Sequence, residues 1–137
     1  KIPIFGNGDI DSPEKAANWR LEYGVDGMMI GRAAIGYPWI FREIKHFFET
    51  GERLAGPTLQ ERVDACRTHF TKSIEWKGPK VGVFEMRRHY SNYFKGLPDF
   101  KPYRTQLVQE ENIEIIYALL EEIADKYVNV QPLTELA

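Results

Sequence analysis

The chain has 137 residues, with 18 lysines and arginines against 20 aspartates and glutamates, a formal net charge of −2 and 43% hydrophobic residues, the profile of one globular domain or two small ones. So balanced a charge excludes wholesale coating of nucleic acid or membrane and leaves only local sites for a polyanion, and no apolar run reaches the roughly 18 residues of a membrane span. The single Cys66 excludes an internal disulfide and any multi-cysteine zinc or iron–sulfur centre within one chain.

Ile2 to Phe5 is a short apolar, β-branched run that ends in Gly6-Asn7-Gly8-Asp9, the pattern of a buried strand entering a tight glycine loop. Ser12-Pro13-Glu14 supplies an N-cap, a proline at the first helical position and a first-turn acid, predicting a helix that Ala16, Ala17, Trp19, Leu21 and Tyr23 carry to Gly24. Val25 to Ile30 predicts a second strand. Gly31-Arg32-Ala33-Ala34 then turns into a short helical segment, and Pro38-Trp39-Ile40-Phe41 starts a helix to about Thr50. This alternation with short connections is the pattern of parallel βαβ units, and two strands alone leave open sheet edges through which copies of the chain are expected to self-associate. Because it opens on Lys1 inside a strand-like run, without a secretory leader, the chain is expected to be the C-terminal part of a longer cytoplasmic protein.

Gly51 to Pro57 breaks the alternation and purely helical periodicity follows, so a domain over residues 1–50 and another over 57–137 are expected. Thr58-Leu59-Gln60-Glu61 is a capping box, and Leu59, Val63, Cys66, Phe70 and Ile74 form one apolar stripe on a helix ending near Lys77-Gly78-Pro79. A second helix is predicted from Pro79 to Lys95, with Val83, Phe84, Met86, Tyr90, Tyr93 and Phe94 as its apolar contacts and Gly96-Leu97-Pro98 as its end. The third runs from Tyr103 to Tyr127, burying Leu107, Ile115, Ile116, Leu119, Leu120 and Ile123, while Glu110, Glu111, Glu114, Glu121 and Glu122 stay wet. The fold class is thus α/β plus all-α, ending in a small helical bundle with a loosely ordered tail from Asn129.

The strongest chemical signal is the pair of glycine loops after consecutive strands, Gly6-Asn7-Gly8-Asp9 and Gly31-Arg32-Ala33. Glycines let the backbone approach a phosphate oxygen, a helix N-terminus adds partial positive charge, and Arg32 can add a forked ionic contact. Taken singly, Gly6, Gly8 and Gly31 are equally explained as tight-turn residues, and Asp9 as a helix cap. No catalytic triad, metal cluster or paired catalytic carboxylate is present.

The segments IPIFGNGDI and GVDGMMIGRAAIGYPWIF resemble the C-terminal barrel segment of the flavin-dependent tRNA-dihydrouridine synthases, closest to the bacterial B-type subgroup. The resemblance is dense over residues 2–48. It implies that the first part of the chain is the last two βα units of a TIM (β/α)8 barrel, which complete needs roughly 200 residues or more. It also implies that Asn7, Gly8 and Asp9 line one side of the FMN phosphate and Gly31 and Arg32 the other. Beyond Gly56 it is looser, but Arg87-Arg88-His89-Tyr90 stands where the family's tRNA-binding domain carries a basic, aromatic segment.

Charge supports a second site independently. Trp76 to Arg104 holds seven bases (Lys77, Lys80, Arg87, Arg88, Lys95, Lys101, Arg104) and two acids (Glu85, Asp99), a local +5. Phosphate contacts dominate nucleic-acid affinity and aromatics stack on unpaired bases, so Arg87, Arg88, His89, Lys95 and Arg104, interleaved with Tyr90, Tyr93, Phe94 and Tyr103, suit folded RNA. The alternative from composition alone is that these aromatics are core and the cations a solvated face. The resemblance implies tRNA as partner and a parent enzyme that reduces a tRNA uridine to dihydrouridine with FMN, recharged by NADPH. The family's catalytic cysteine lies upstream of the matching segment. Cys66 instead occupies an apolar helix position and reads as core, His46 and His69 as ordinary helix residues, so this chain alone is expected to be inactive. Rival readings are another FMN or phosphate-binding barrel enzyme, or a helical module that only binds RNA or protein.

Overall fold

The computed structural model describes residues 2–130 and divides into two compact units between Gly56 and Pro57. The tail expected to be loosely ordered lies, past its first two residues, outside the described residues.

In the first unit, strand β1 (Phe5–Asn7) pairs in parallel with β2 (Gly27–Met29), Phe5 opposite Gly27 and Asn7 opposite Met29. Helix α1 (Pro13–Tyr23) makes the crossover. The Ser12 hydroxyl accepts the Lys15 N–H at its start, and Gly24 ends it in the left-handed region at φ 59°. A 3-10 turn, Arg32–Ala34, follows β2 and leads to helix α2 (Ile40–Thr50), which Gly51 closes at φ 75°. The core is small: Ile10, Ala16, Ile40 and Ile44 are buried, with Trp19, Met28, Ile30 and Tyr37 packed around them.

The first strand differs from the sequence expectation in place and in burial. Ile2, Ile4 and Phe5 are exposed (86%, 64% and 68%), as are Leu21 and Tyr23 of α1, because β1 has only β2 beside it among the described residues. Regular pairing begins at Phe5 rather than Ile2. The Ile4 N–H is taken by the Asp26 carboxylate at 2.9 Å, so a side chain replaces the strand partner just where the ladder would extend.

The second unit is helical. Helix α3 (Leu59–Met86) starts on the Thr58–Glu61 capping box and bends sharply at Gly78 (φ 80°, ψ 166°), followed by Pro79. Its limbs, 59–77 and 79–86, lie against each other. A Cβ on Gly82 would stand 2.8 Å from backbone atoms of Ser73 and Ile74, and the Ser73 hydroxyl donates to the Gly82 carbonyl at 3.2 Å. Short helix α4 (Tyr90–Tyr93), α5 (Lys101–Gln109) and α6 (Ile113–Lys126) complete the unit around Val63, Cys66, Phe70, Met86, Leu107, Ile116, Leu120 and Ile123.

Two predicted helices are broken. The one expected over 79–95 is interrupted by a turn at residues 87–89. The one expected over 103–127 is interrupted at Glu110, whose backbone is extended while its carboxylate accepts the N–H groups of Glu111 and Asn112, each at 2.9 Å. Asn112 then caps α6 by accepting from Glu114 and Ile115. Restarting there turns Ile115, expected in the core, to 47% exposure. Arg62, 5% exposed, ties α3 to the end of α4, donating to the carbonyls of Tyr93 (2.6 Å) and Lys95 (2.8 Å).

Candidate functional site

Parallel pairing sends the chain out of β1 and β2 at the same end of the sheet, which brings the two glycine loops together. Asn7 closes β1, Asp9 turns through the left-handed region at φ 47°, and Gly31 and Arg32 follow β2. The Asp9 carboxylate pairs directly with the Arg32 guanidinium. Asn7, Asp9, Gly31 and Arg32 thus line one open cleft of about 800 Å³, joined by Asp11 and Lys15.

The glycines divide by role. A Cβ on Gly8 would collide with the Trp19 ring, so Gly8 is required by packing against α1, and it does not line the cleft. A Cβ on Gly31 would meet nothing within 4 Å. The floor at Gly31 is therefore open, and beside it the first N–H groups of the 3-10 turn have no acceptor within that turn. Lys15, which sequence reasoning passed over, stands in the first turn of α1 with its ammonium 3.6 Å from Asp11. Its signal was the position just inside a helix N-terminus that follows a glycine loop. Two cations, each leaning on one carboxylate, an open glycine floor and the start of α1 make a donor set suited to a phosphate dianion.

In the helical unit the structure separates the expected RNA-contacting residues. Arg87 is largely covered: its guanidinium lies over the Phe84 ring at 4.1 Å and reaches Glu111 at 3.4 Å. Arg88 is exposed, its Nε donating to His89 Nε2 at 3.3 Å, which leaves the proton of His89 on a buried, unpartnered Nδ1. The His89 and His69 rings are 4.8 Å apart, and His69 Nδ1 meets the Tyr93 hydroxyl at 3.1 Å. Burial lowers the pKa of both imidazoles. The neighbouring Lys77 and Arg88 add to this, as does His69 for His89, against an opposing pull from Glu85.

Lys95 and Arg104 come together around a cavity of about 280 Å³ with Lys101, over Phe94, Gly96 and Phe100. None of the three cations has a carboxylate within 4 Å among the described residues. Lys101 entered the charge count but not the expected site, since only the fold sets it beside Lys95.

The aromatics expected to stack on bases do not. Tyr90, Tyr93, Phe94 and Tyr103 are at most 7% exposed and belong to the core. Tyr103 donates to Glu122 at 2.6 Å, which pushes its pKa up to about 12, and burial raises that of Tyr90. Cys66 is fully buried and its thiol pushed up by burial, an inert core residue. Among the described residues no His/Cys/Asp/Glu cluster could hold a metal, and no helix is long and apolar enough to cross a membrane.

Against known proteins, the family model described as Dihydrouridine synthase (Dus) matches residues 1–127. The chain is similar to tRNA-dihydrouridine synthase B of Pseudomonas aeruginosa, 45% identical over 105 residues that cover 77% of this chain and 32% of that protein. It is similar to the proteins of the same name from Shewanella oneidensis, 42% identical over 128 residues (93% of this chain, 39% of that protein), and Xanthomonas axonopodis, 40% over 125 (91% and 38%). The chain spans about a third to two-fifths of the length of these relatives.

Proposed function

Because the chain belongs to the dihydrouridine synthase family, we propose that it serves a cytoplasmic, flavin-dependent enzyme that reduces a uridine of tRNA to dihydrouridine. In this reading residues 1–50 are the last two βα units of a TIM barrel and hold the phosphate of FMN, while residues 57–137 grip tRNA. FMN, recharged by NADPH, supplies the hydride chemistry when bound.

The observation that carries the reading is the cleft between the two loops. Arg32 and Lys15 meet the phosphate, with the Asn7 amide on one wall and the free floor at Gly31 on the other. Asp9 holds the Arg32 guanidinium in place beforehand, so the arginine loses less freedom on gripping the anion. Gly8 contributes indirectly by letting Trp19 close against the loop. In the helical unit Lys95, Lys101 and Arg104 face one tRNA phosphate run, and Arg88 with the neutral His89 offers a second contact. Arg87, turned onto Phe84 and Glu111, supports that turn rather than reaching RNA.

Protein expressed from the native gene tests the reading by mass spectrometry of released cofactor and by binding of unmodified tRNA. FMN, bound far more tightly than riboflavin, is the expected result. Protein that neither carries nor takes up FMN overturns the flavin reading, and salt-sensitive tRNA binding in that protein would favour the RNA-binding module instead.

A further inference from the structure

Among the described residues of the helical unit, the most exposed large apolar side chain is Trp76, at 87%. A single exposed hydrophobe is unremarkable in itself. Trp76, however, stands two residues before the Gly78 bend, at a corner held by Pro79 and by the close backbone contact of Gly82 with Ser73 and Ile74. Its ring is therefore presented on a fixed support. Among the described residues it has no ring or cation partner, unlike Trp19 and Trp39, which pack on Tyr23 and Tyr37.

The sequence around it carries paired and unpaired cations: Glu75, directly before Trp76, pairs with Lys72. Lys77 follows directly and pairs with Glu85, while Lys80, four positions on, and Arg88, in the turn that ends the second limb, are exposed and have no carboxylate within 4 Å among the described residues. An exposed indole on a segment whose following residues carry unneutralised cations suits an unpaired nucleotide, with the base on the ring and the flanking phosphates toward the ammonium and guanidinium groups. An apolar protein patch would leave those charges without partners.

Resting on the tRNA reading above, we propose that Trp76 is a nucleobase-stacking residue, with Lys80 contacting a phosphate of the stacked nucleotide. The ring recognises any base by its face, so it selects for single-stranded or looped RNA over duplex rather than for sequence.

The test compares the full chain with Trp76→Ala and Trp76→Phe variants, titrating tRNA, single-stranded oligouridine and a blunt RNA duplex at one salt concentration. Trp76→Ala should weaken tRNA and oligouridine binding roughly tenfold and leave duplex binding unchanged, with Trp76→Phe retaining most of the affinity. Tryptophan fluorescence should be quenched by oligouridine in the wild type and not in Trp76→Ala. The slope of affinity against salt should be equal in both, since stacking releases no counterions. Equal loss toward the duplex, or wild-type affinity in Trp76→Ala, overturns the proposal. Affinity for RNA unchanged but self-association lost in Trp76→Ala, by sedimentation, would give the ring to a second copy and also overturn it. A wild-type chain that binds no tRNA at all instead removes the tRNA reading on which the proposal stands.

Discussion

Asp9 and Arg32, 23 positions apart in the chain, close on each other as an ion pair that links the loop after β1 to the loop after β2. Both side chains are mostly exposed, and exposed pairs contribute only about 0–1 kcal/mol to stability. Arg32→Ala should therefore leave the thermal transition nearly unchanged while weakening FMN binding at least about tenfold, the worth of one charge-assisted contact. Lys15→Ala should weaken it by a smaller factor. Calorimetric titration with FMN and riboflavin checks both, and the losses should fall on FMN alone.

The two loop glycines separate packing from binding. Gly8→Ala drives a methyl group into the Trp19 ring and should cost about 1–3 kcal/mol in urea denaturation. Gly31→Ala meets no atom and should fold normally, while narrowing the floor of the cleft and lowering affinity for FMN.

In the helical unit Arg62→Met should be the more damaging kind of change. It leaves the carbonyls of Tyr93 and Lys95 without their donor, a loss of about 3 kcal/mol or more for two charge-assisted bonds. Gly82→Ala, which pushes against backbone rather than a movable side chain, should destabilise by a comparable amount. Denaturation followed by far-UV circular dichroism measures both.

The histidine pair gives stability a pH dependence. Burial first, with Lys77 and Arg88 adding to it and His69 adding for His89 alone, lowers both folded imidazole pKa values below the ordinary 6.5, with Glu85 opposing. Above 6.5 both folded and unfolded chains are neutral at these sites and the stability is fully present. As pH falls through 6.5 the unfolded chain binds protons that the folded pair resists, so stability declines, and the decline ends once the folded rings protonate too. A His69→Asn, His89→Asn double variant should show a flatter profile between about pH 7 and pH 5 than the wild type.

RNA affinity should report the basic cavity through salt. Replacing Lys95, Lys101 and Arg104 by alanine should reduce the slope of log affinity against log salt by roughly 2 and weaken all RNAs alike. An unchanged slope would remove these residues from the RNA-binding surface.

What could be read ahead of the structure was what is decided locally. The Ser12 cap, the Thr58–Glu61 capping box and the stops at Gly24 and Gly51 each depend on partners within a few positions. The break at Glu110–Asn112 escaped because apolar residues continue in helical spacing across it, although Asn112 followed by Glu114 carries an N-cap signature. The turn at Arg87–His89 holds no glycine or proline to mark it. Burial was the harder quantity: a tyrosine beside an arginine reads the same whether it faces solvent or core, and tertiary packing put Tyr90, Tyr93, Phe94 and Tyr103 inside. Spacing alone pointed to the two glycine loops, but only the fold brings Lys15 to the cleft and Lys101 beside Lys95.

The pairing of Phe5 with Gly27 has an effect at the far end of the strands. The Phe5 ring occupies the space a Cβ at position 27 would need, so a side chain there has to push the ring off the strand toward the solvent to which it is already largely exposed. Sliding β1 by one residue would set Phe5 against Met28 and shift Asn7 by about 3.3 Å relative to Gly31. The aperture of the cleft is thus gauged by an aromatic ring seated over a bare backbone two residues below it. A side chain introduced at Gly27, itself outside the cleft, would displace that ring and remove the contact that favours this register over its neighbours.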